Sequence, residues 1–463
     1  MMNRTRGRVA TRAASLVGAL AIGALALSAC ASGGGGSIKP TSEASDDAAP
    51  VTLVVPTSQA PWNPAYAKLV DEYEKETGNT VDLRPFPNPD VKTQEVNDVQ
   101  SQQHTFDVYQ INEGDLVQFN ENEWIQPLTD IDPDYAPDKE TFSYSNIARW
   151  DADNDIFSSD GALTSAPLLG NVDIFMYRTD IYKELGLKVP TTWDQVISNG
   201  KKIQGSGLAT YGGAFRTQGV AGTYAMTYEF QALLNGAGAS WFTEPGTDYT
   251  PQADDKSAVK AAQWLRDLAM LGPSATTTMG QAQVIAAMQS GDAAQTYAVA
   301  AAAPQLEDPS NSAVAGKIGY APLPTSPDGT SSSATGLWVL GVPAGLPDDR
   351  AKAALSYIKW MTSAKAMKMF AEFGGIPTRS DAYDEVSGLS DAASATLAAV
   401  AETAANLPEN PTSLRYAFST DMLNLTEPAL QEIAAGNVSA ADGMGKLQDD
   451  LSALVKKLKL PQG

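Results

Sequence analysis

The loop at residues 57–64 carries side chains that suit a polyhydroxylated molecule. Gln59, Trp62 and Asn63 stand there between a short β-branched segment and a helical pattern. An indole ring offers a flat apolar face to the C–H face of a sugar ring, and amides pair with hydroxyl groups. These three residues are therefore candidate ligand contacts. The alternative, that Trp62 packs as a lid on the following helix, stays open.

A second loop, Asn112-Glu113-Gly114-Asp115, follows another predicted strand. Glu113 could accept hydrogen bonds from paired hydroxyls or serve the local structure alone, whereas Asp115 is predicted to cap the helix that starts there. Glycoside hydrolysis needs two carboxylates at a fixed separation across a sugar bond, and adjacent loop acids are common. The sequence contains no phosphate-cradling Gly-Lys-Ser/Thr loop and no nucleophile elbow. It therefore predicts a binding protein and not an enzyme.

Cysteine and histidine are too rare for the usual metal sites. The chain has one of each, Cys30 and His104, which excludes His-based catalytic triads and metal sites built from several Cys or His ligands. Residues 151–155 resemble the start of a calcium loop. However, Ile156 and Ala162 stand at its sixth and twelfth positions, where such a loop needs Gly and Glu. We expect no metal and no cofactor.

The N-terminus has the order of a bacterial export signal. Four arginines come first, an apolar segment covers about residues 14–27, and Leu27-Ser28-Ala29 precedes Cys30. The apolar segment is shorter than the roughly 20 residues that span a bilayer, and Cys30 in this context resembles the lipobox of bacterial lipoproteins. The resemblance implies a signal peptide at 1–29, lipid on Cys30 and a flexible tether at 30–50. The alternative is that Cys30 is merely a small apolar residue of a signal or anchor helix.

The chain is strongly acidic. Its net charge is −22, and removing residues 1–29, which hold four arginines and no acid, leaves −26. Such a surface argues against nucleic acid as a partner and against binding to anionic lipid headgroups. If Cys30 carries lipid, no disulfide can form within the chain, so stability must come from core burial. The 434 mature residues suffice for two domains.

Strand and helix patterns alternate through the first part of the mature chain. Tyr66, Leu69 and Tyr73 share one face of a predicted helix that ends at Gly78. The order of elements predicts an α/β fold with a mainly parallel sheet. The predicted elements are a strand at 51–55, a helix at 65–77, a strand at 81–83, a helix at about 91–103, a strand at 107–111 and a helix from 115.

Three groups of motifs resemble the family 1 extracellular solute-binding proteins, the maltose-binding-protein-like receptors of ABC importers. The first group is Thr52 to Val55, Glu74-Lys75-Glu76-Thr77-Gly78, Phe106-Asp107-Val108-Tyr109 and Trp124-Ile125-Gln126-Pro127-Leu128. The second is Ala166-Pro167, Tyr177-Arg178-Thr179-Asp180, Leu185-Gly186-Leu187 and Val189-Pro190-Thr191-Thr192-Trp193-Asp194. The third is Gly291-Asp292-Ala293-Ala294, Gly336-Leu337-Trp338 and Gly374-Gly375-Ile376-Pro377-Thr378-Arg379. Together they cover nearly all of residues 51 to about 385.

The resemblance implies a two-lobe, periplasmic-binding-protein-like fold with a hinge and a central ligand cleft. It places the hinge crossings near 160–165, 333–336 and 376–379. The N-lobe would comprise residues 51–160 and 335–377. The C-lobe would comprise residues 161–334 and 378–463, including Ala-rich helices at 391–460.

The resemblance also assigns candidate ligand contacts beyond the first two loops. For several of these positions a purely structural role is the alternative to ligand contact. One of Tyr224 and Tyr228 is expected to pack in the buried face of a helix. Trp241 could stabilise the turn before it, and Arg379 could form a salt bridge in the hinge. The positions implied are Asn171, Tyr228, Glu229, Trp241, Tyr297, Trp338 and Arg379.

An aromatic cleft with amides and few cations suits a neutral ligand, since only Arg216 and Arg379 near these loops could serve an anion. The expected function is capture of a sugar or polyol by lobe closure and its delivery to the ABC permease subunits in the membrane. The protein is expected to work as a monomer on the outer face of the cell membrane. Two alternatives remain open: a tethered glycan sensor or adhesion module, and a receptor for an anionic solute.

Overall fold

The computed structural model describes residues 50–60, 62–220, 224–383, 386, 388–408 and 412–463. The predicted signal peptide, Cys30 and the tether up to residue 49 lie outside the described residues. Residues 50–463 pack as one compact unit. Within the described ranges, no helix combines the length and the hydropathy that crossing a bilayer requires.

The first half of the N-lobe alternates strands and helices, as the sequence predicted. Tyr66, Leu69 and Tyr73 form the buried face of the first helix, which ends at Gly78 with φ of 74°. The elements are β1 (Thr52–Ser58), α1 (Asn63–Thr77), β2 (Thr80–Phe86), α2 (Asn88–Ser101), β3 (Tyr109–Asn112), α3 (Glu113–Glu121), β4 (Ile125–Gln126), α4 (Leu128–Ile131), β5 (Arg149–Asp151), β6 (Ile156–Phe157), β7 (Ala162–Leu163) and β8 (Ala166–Leu169).

The C-lobe begins directly afterwards and has its own antiparallel sheet. Its first strand, β9, pairs with β12 on one side and with β13 on the other. The elements are β9 (Asp173–Arg178), α5 (Thr179–Glu184), α6 (Trp193–Ser206), α7 (Ala225–Gly236), β10 (Phe242–Glu244), β11 (Asp248–Pro251), α8 (Lys256–Ala269), α9 (Gln281–Gln289), β12 (Gln295–Val299), α10 (Ala303–Glu307) and β13 (Ile318–Ala321).

The chain then returns to the N-lobe before it completes the C-lobe. Its next strand, β14, lies between β3 and β8, with Trp338 opposite both Asn112 and Leu169. The remaining elements are β14 (Trp338–Pro343), α11 (Asp348–Met361), α12 (Ala364–Glu372), α13 (Asp391–Ala405), α14 (Ser419–Ala435) and α15 (Ala440–Leu458).

The prediction of a mainly parallel sheet is wrong. Among the pairings between strands of the described chain, β1 with β2 is parallel and the others are antiparallel. The alternation of strands and helices in residues 51–121 gave no sign of this, because the antiparallel partner β14 comes from more than 200 residues later in the sequence.

The connection between the lobes differs in one place from the expectation. Because β8 pairs with β14 in the N-lobe sheet, the chain leaves that sheet after Leu169 and not at 160–165. Val172 then pairs with Thr335, so the outgoing and returning passages lie side by side. Near them, the Gly170 amide donates to the Ile376 carbonyl. We propose 170–172, 333–337 and 376–379 as the hinge segments.

A short segment at residues 412–416, called the strap below, contacts elements of both proposed lobes. It follows α13 and precedes α14, yet the side chain of Arg415 reaches Glu113 at the start of α3. The sequence had placed all of residues 378–463 in the C-lobe. We propose that the strap lies at the base of the cleft between the two lobes, since it contacts both of them.

Gly170 is packed too closely for any side chain. A Cβ there would overlap the Tyr144 hydroxyl and lie 2.7 Å from the Pro377 carbonyl oxygen. We expect Gly170→Ala to lower the free energy of unfolding by about 1–3 kcal/mol through overpacking, measured by urea denaturation.

Gly205→Ala is the matched control for this prediction. Gly205 lies within α6, and its added Cβ would meet nothing within 4 Å. Alanine is preferred to glycine in helices by about 1 kcal/mol, so this variant should be no less stable than the wild type. An equal loss in both variants would contradict the close packing at Gly170.

Candidate ligand-binding cleft

A cavity of about 230 Å³ is lined by residues of both proposed lobes and of the proposed hinge segments. Five of the predicted contacts line it: Gln59, Trp62, Asn171, Tyr228 and Trp338. They come from the ends of β1 and β14, the first hinge segment and α7. The structure thus brings together residues that are up to 279 positions apart in the sequence.

Two tryptophans form the aromatic wall. The ring centroids of Trp62 and Trp338 are 5.8 Å apart, and Trp62 also contacts Tyr66 of α1 edge to face. The exposed fractions are 4% for Trp62 and 5% for Trp338. Trp62 therefore packs on the first helix and lines the cavity at the same time, so its two predicted roles are compatible.

Amide side chains provide the polar part of the wall. Asn171 Oδ1 accepts a hydrogen bond of 3.2 Å from the Ala301 amide, which leaves its Nδ2 as the donor available to a ligand. Asn112 also lines the cavity, and its Oδ1 accepts from the Gly114 amide at 3.0 Å. Asn112 is thus the N-cap of α3, and the prediction that Asp115 caps this helix is wrong. Asp115 lies in the first turn and forms an ion pair of 2.7 Å with Lys92.

Glu113 lies beneath the cavity and does not line it. Its carboxylate accepts hydrogen bonds from Arg415 Nε at 2.6 Å, Thr335 Oγ1 at 2.8 Å and the Leu337 amide at 3.0 Å. The side chain is fully buried. Its acceptors are therefore occupied by the protein itself.

Two other predicted aromatic contacts lie in the C-lobe core. Trp241 Nε1 donates to Gln231 Oε1 at 2.9 Å. The Tyr297 hydroxyl donates to the backbone carbonyl of Glu229 at 3.1 Å, and its ring packs on Trp193. Both rings are almost completely buried and stand away from the cavity wall.

The remaining three predicted contacts also lie off the cavity wall. Asn63 is the first residue of α1, where Thr57 Oγ1 donates to its side chain at 3.5 Å. Arg379 is buried in ion pairs with Asp381 at 2.7 Å and Asp138 at 3.3 Å. Glu229 is buried behind the wall beside Arg216.

The wall also contains residues that the sequence did not mark as sugar contacts: Asn112, Gln281, Leu414, Tyr224 and Arg216. Asn112 ends a strand beside Glu113, and this position could have identified it. Gln281 and Leu414 carry no comparable local signal, because distant parts of the chain bring them to the wall. Both tyrosines line the cavity, but they differ in burial. Tyr228 of α7 is 4% exposed and packs in a small apolar cluster, as the helical alternative predicted for one of the two, whereas Tyr224, the residue before α7, is 43% exposed.

The charge of Arg216 is balanced inside the protein. It is the one basic side chain among the described wall residues, its Nε lies 3.2 Å from Glu229 Oε1, and Nη2 donates to Gln281 Oε1 at 2.6 Å. Burial raises the pKa of Glu229 to about 7, although the nearby Arg216 lowers it. The wall therefore offers aromatic faces and neutral hydrogen-bonding groups without a free positive charge.

No group of three or more metal-ligating side chains occurs in the described part of the chain. In the acidic turn after β5, Asp151 accepts hydrogen bonds from the amides of Asp153 and Asn154. Its carboxylate thus serves the turn itself.

Residues 57–368 match the family model of the bacterial extracellular solute-binding proteins. The chain belongs to this family. Its members bind solutes and are not enzymes, and neither is this protein. The predicted family and the predicted two-lobe α/β fold are therefore confirmed.

Relatives with known names include polyol-binding proteins. A mannitol-binding protein of Pseudomonas aeruginosa is 27% identical over 62% of this chain and 64% of its own length. The match thus spans slightly less than two thirds of that relative. An erythritol/L-threitol-binding protein of Mycolicibacterium smegmatis is 24% identical over 80% of this chain and 81% of its own length.

Solved structures show the same fold. An ABC transporter solute-binding protein from Agrobacterium vitis S4 with bound D-mannitol has a TM-score of 0.67 at 23% identity, over 88% of this chain and 99% of that one. The GacH receptor of Streptomyces glaucescens has a TM-score of 0.70 at 19% identity, over 89% and 100% of the two chains.

Proposed function

We propose that this protein is the lipid-anchored substrate-binding component of an ATP-driven importer and captures a monosaccharide or a short polyol. The observation that carries the proposal is the cavity between the lobes. It combines the Trp62 and Trp338 rings with amide groups and with an arginine whose charge is already balanced. Hydroxyl groups both donate and accept, so they match such a wall, while C–H faces match the rings.

The size of the cavity favours a small ligand. Its volume of about 230 Å³ lies below the roughly 300–1,000 Å³ that is usual for drug-sized ligands. A single sugar ring or a linear polyol suits this space better than an oligosaccharide. The names of relatives agree, since mannitol, erythritol and L-threitol are short polyols.

The mechanism follows from the position of the wall residues on both lobes. Gln59, Trp62 and Trp338 belong to the N-lobe side, and Arg216 and Tyr228 belong to the C-lobe side. A ligand that contacts both sides binds more tightly when the lobes are closed, so it shifts the open–closed equilibrium toward closure.

We propose that the closed, loaded form is presented to the permease subunits in the membrane and that the ATPase lies on other chains. Lipid on Cys30 and a tether of about 20 residues would hold the body close to the permease, which raises its effective concentration there. The protein would act as a monomer.

Calorimetry of the purified protein tests the ligand class. We expect dissociation constants of about 1 μM or tighter, equivalent to roughly 8 kcal/mol, for at least one polyol or monosaccharide in a panel that includes D-mannitol, ribitol and erythritol. Binding of an inorganic anion or an amino acid, with no response to any polyhydroxylated compound, would contradict the proposal.

A second measurement separates the importer receptor from a tethered glycan sensor. The permease with its ATPase is reconstituted in vesicles, and ATP hydrolysis is followed with the binding protein present. Stimulation by the loaded protein supports delivery to the permease. Unchanged hydrolysis, with ligand binding intact, would favour the sensor.

A further inference from the structure

Two buried carboxylates lie directly behind Arg216 and Tyr228 of the C-lobe wall. Glu229 Oε1 is 3.2 Å from Arg216 Nε, and the Tyr228 hydroxyl donates to Asp173 Oδ1 at 3.3 Å. The Arg216 guanidinium also lies over the Tyr228 ring at 5.8 Å from its centre. Arg216 and Tyr228 line the cavity, and the two carboxylates do not.

The carboxylates outnumber the positive charge. Asp173 has no exposed surface and Glu229 has 2%, so solvent screens neither of them. One Arg216 faces both acids, which leaves one excess negative charge when both are ionised. Among the described residues, Asp173 Oδ2, Glu229 Oε2 and Arg216 Nε form no hydrogen bond.

The elements packed around this cluster add no further positive charge to it. On α7 itself, Tyr228 and Glu229 are the titratable groups, and Glu427 of α14 accepts hydrogen bonds from the amides that begin this helix. From β12, the Tyr297 hydroxyl donates to the Glu229 carbonyl. The next acid on the N-lobe side, Glu113, is paired with Arg415.

We infer that Asp173 and Glu229 are positioning residues that make the cleft accept uncharged ligands and reject their carboxylated counterparts. The inference rests on the proposed function and specifies the ligand class of the same cleft.

The first argument is the direction of the hydrogen bonds. Because the Tyr228 hydroxyl donates to Asp173, its oxygen faces a ligand as an acceptor. A ligand hydroxyl can donate to that oxygen and accept from Arg216, whereas a carboxylate can only accept. The second argument is charge: the excess negative charge repels an anion at close range in a poorly screened site.

The pH dependence has a definite sign. Burial raises the pKa of Glu229 to about 7, and burial together with the nearby Glu229 raises the pKa of Asp173. As the pH falls through 7, Glu229 takes up a proton, so the excess negative charge disappears and Asp173 alone balances the charge of Arg216. Affinity for a carboxylated ligand should therefore rise as the pH falls from 8 to 6, while affinity for an uncharged polyol changes less.

Titration calorimetry on the whole protein tests the inference with D-mannitol against D-mannonate and ribitol against D-ribonate. The variants are Glu229→Gln and Asp173→Asn. The matched control is Glu95→Gln, which alters a buried carboxylate of α2 that accepts a hydrogen bond of 2.8 Å from the Gln110 amide.

At pH 8 we expect the wild type to bind the polyol at least about tenfold more tightly than its acid. The ratio of the affinity for the polyol to the affinity for its acid should be smaller at pH 6. Glu229→Gln should reduce this ratio about tenfold and remove its pH dependence, and Asp173→Asn should also reduce it. Glu95→Gln should keep the wild-type ratio.

Equal affinity of the wild type for a polyol and its acid at pH 8 would overturn the inference and leave the proposed function standing. A ratio that does not change between pH 6 and 8 would also overturn it, and this measurement needs no variant. Failure of all uncharged sugars and polyols to bind the wild type would overturn the proposed function, and the inference with it.

Discussion

Replacing Trp338 with alanine is expected to weaken ligand binding by about 2–3 kcal/mol, roughly 30- to 150-fold in the dissociation constant. Trp338 begins β14 and lies 5.8 Å from Trp62 across the cavity wall. The substitution removes a ring face that a sugar or polyol would cover, and it also removes the support of Trp62. Titration calorimetry with the best ligand of the panel measures the change.

Two companion variants distinguish a cleft role from a core role. Trp338→Phe keeps an aromatic face and should lose much less affinity. Trp241→Phe removes the hydrogen bond to Gln231 in the C-lobe core, so it should lower the melting temperature and leave the dissociation constant unchanged. If folded Trp338→Ala bound the ligand as tightly as the wild type, Trp338 would belong to the core alone.

Replacing Arg415 with alanine is expected to cost about 3–5 kcal/mol of unfolding free energy, because it leaves the buried Glu113 without its counterion. The side chains of Arg415 and Glu113 are 2% and 0% exposed. Arg415 also donates to the carbonyls of Tyr144 and Ser145, two residues with φ of 44° and 56°. Its loss therefore also removes the hydrogen bonds that hold this turn in its left-handed conformation. Urea denaturation measures the effect.

The double variant Glu113→Leu/Arg415→Met tests the cause. It removes both charges, so it should recover part of the stability that Arg415→Ala loses. Lys75→Ala is the control, since Lys75 pairs with Glu72 at 2.6 Å on the exposed surface of α1. Exposed pairs contribute little, and this variant should unfold like the wild type. If Arg415→Ala lowered the free energy of unfolding as little as Lys75→Ala does, the buried pair of Arg415 with Glu113 would not stabilise the protein as proposed.

The sequence predicts the local features of the fold well, namely the positions of the first strands and helices. The buried stripe of α1 and its end at Gly78 follow from a helical repeat and from a residue that tolerates positive φ. The same holds for the alternation of β1, α1, β2 and α2, since each depends on residues within a few positions of one another. The ordered motifs added the family and the two-lobe fold.

The cleft was only partly predictable. Gln59, Trp62, Asn171, Tyr228 and Trp338 reach its wall. All of them except Tyr228, which lies within α7, stand near the end of a strand or in a hinge segment. The sequence indicates Arg216 only as a partner for an anionic ligand, because nothing in it shows that Glu229 balances the charge of Arg216.

The sequence by itself determined the elements that are stabilised by near neighbours, the acidic surface and the family. Only the tertiary structure decided which polar residues remain free for a ligand. Glu113 and Asn112 are adjacent in the sequence, yet Glu113 is bound by Arg415, 302 residues later in the chain, and Asn112 lines the cavity. The physical reason is that hydrogen bonds and ion pairs between distant segments occupy some side chains and leave others available to a ligand. Local sequence patterns do not predict which distant residues become those partners.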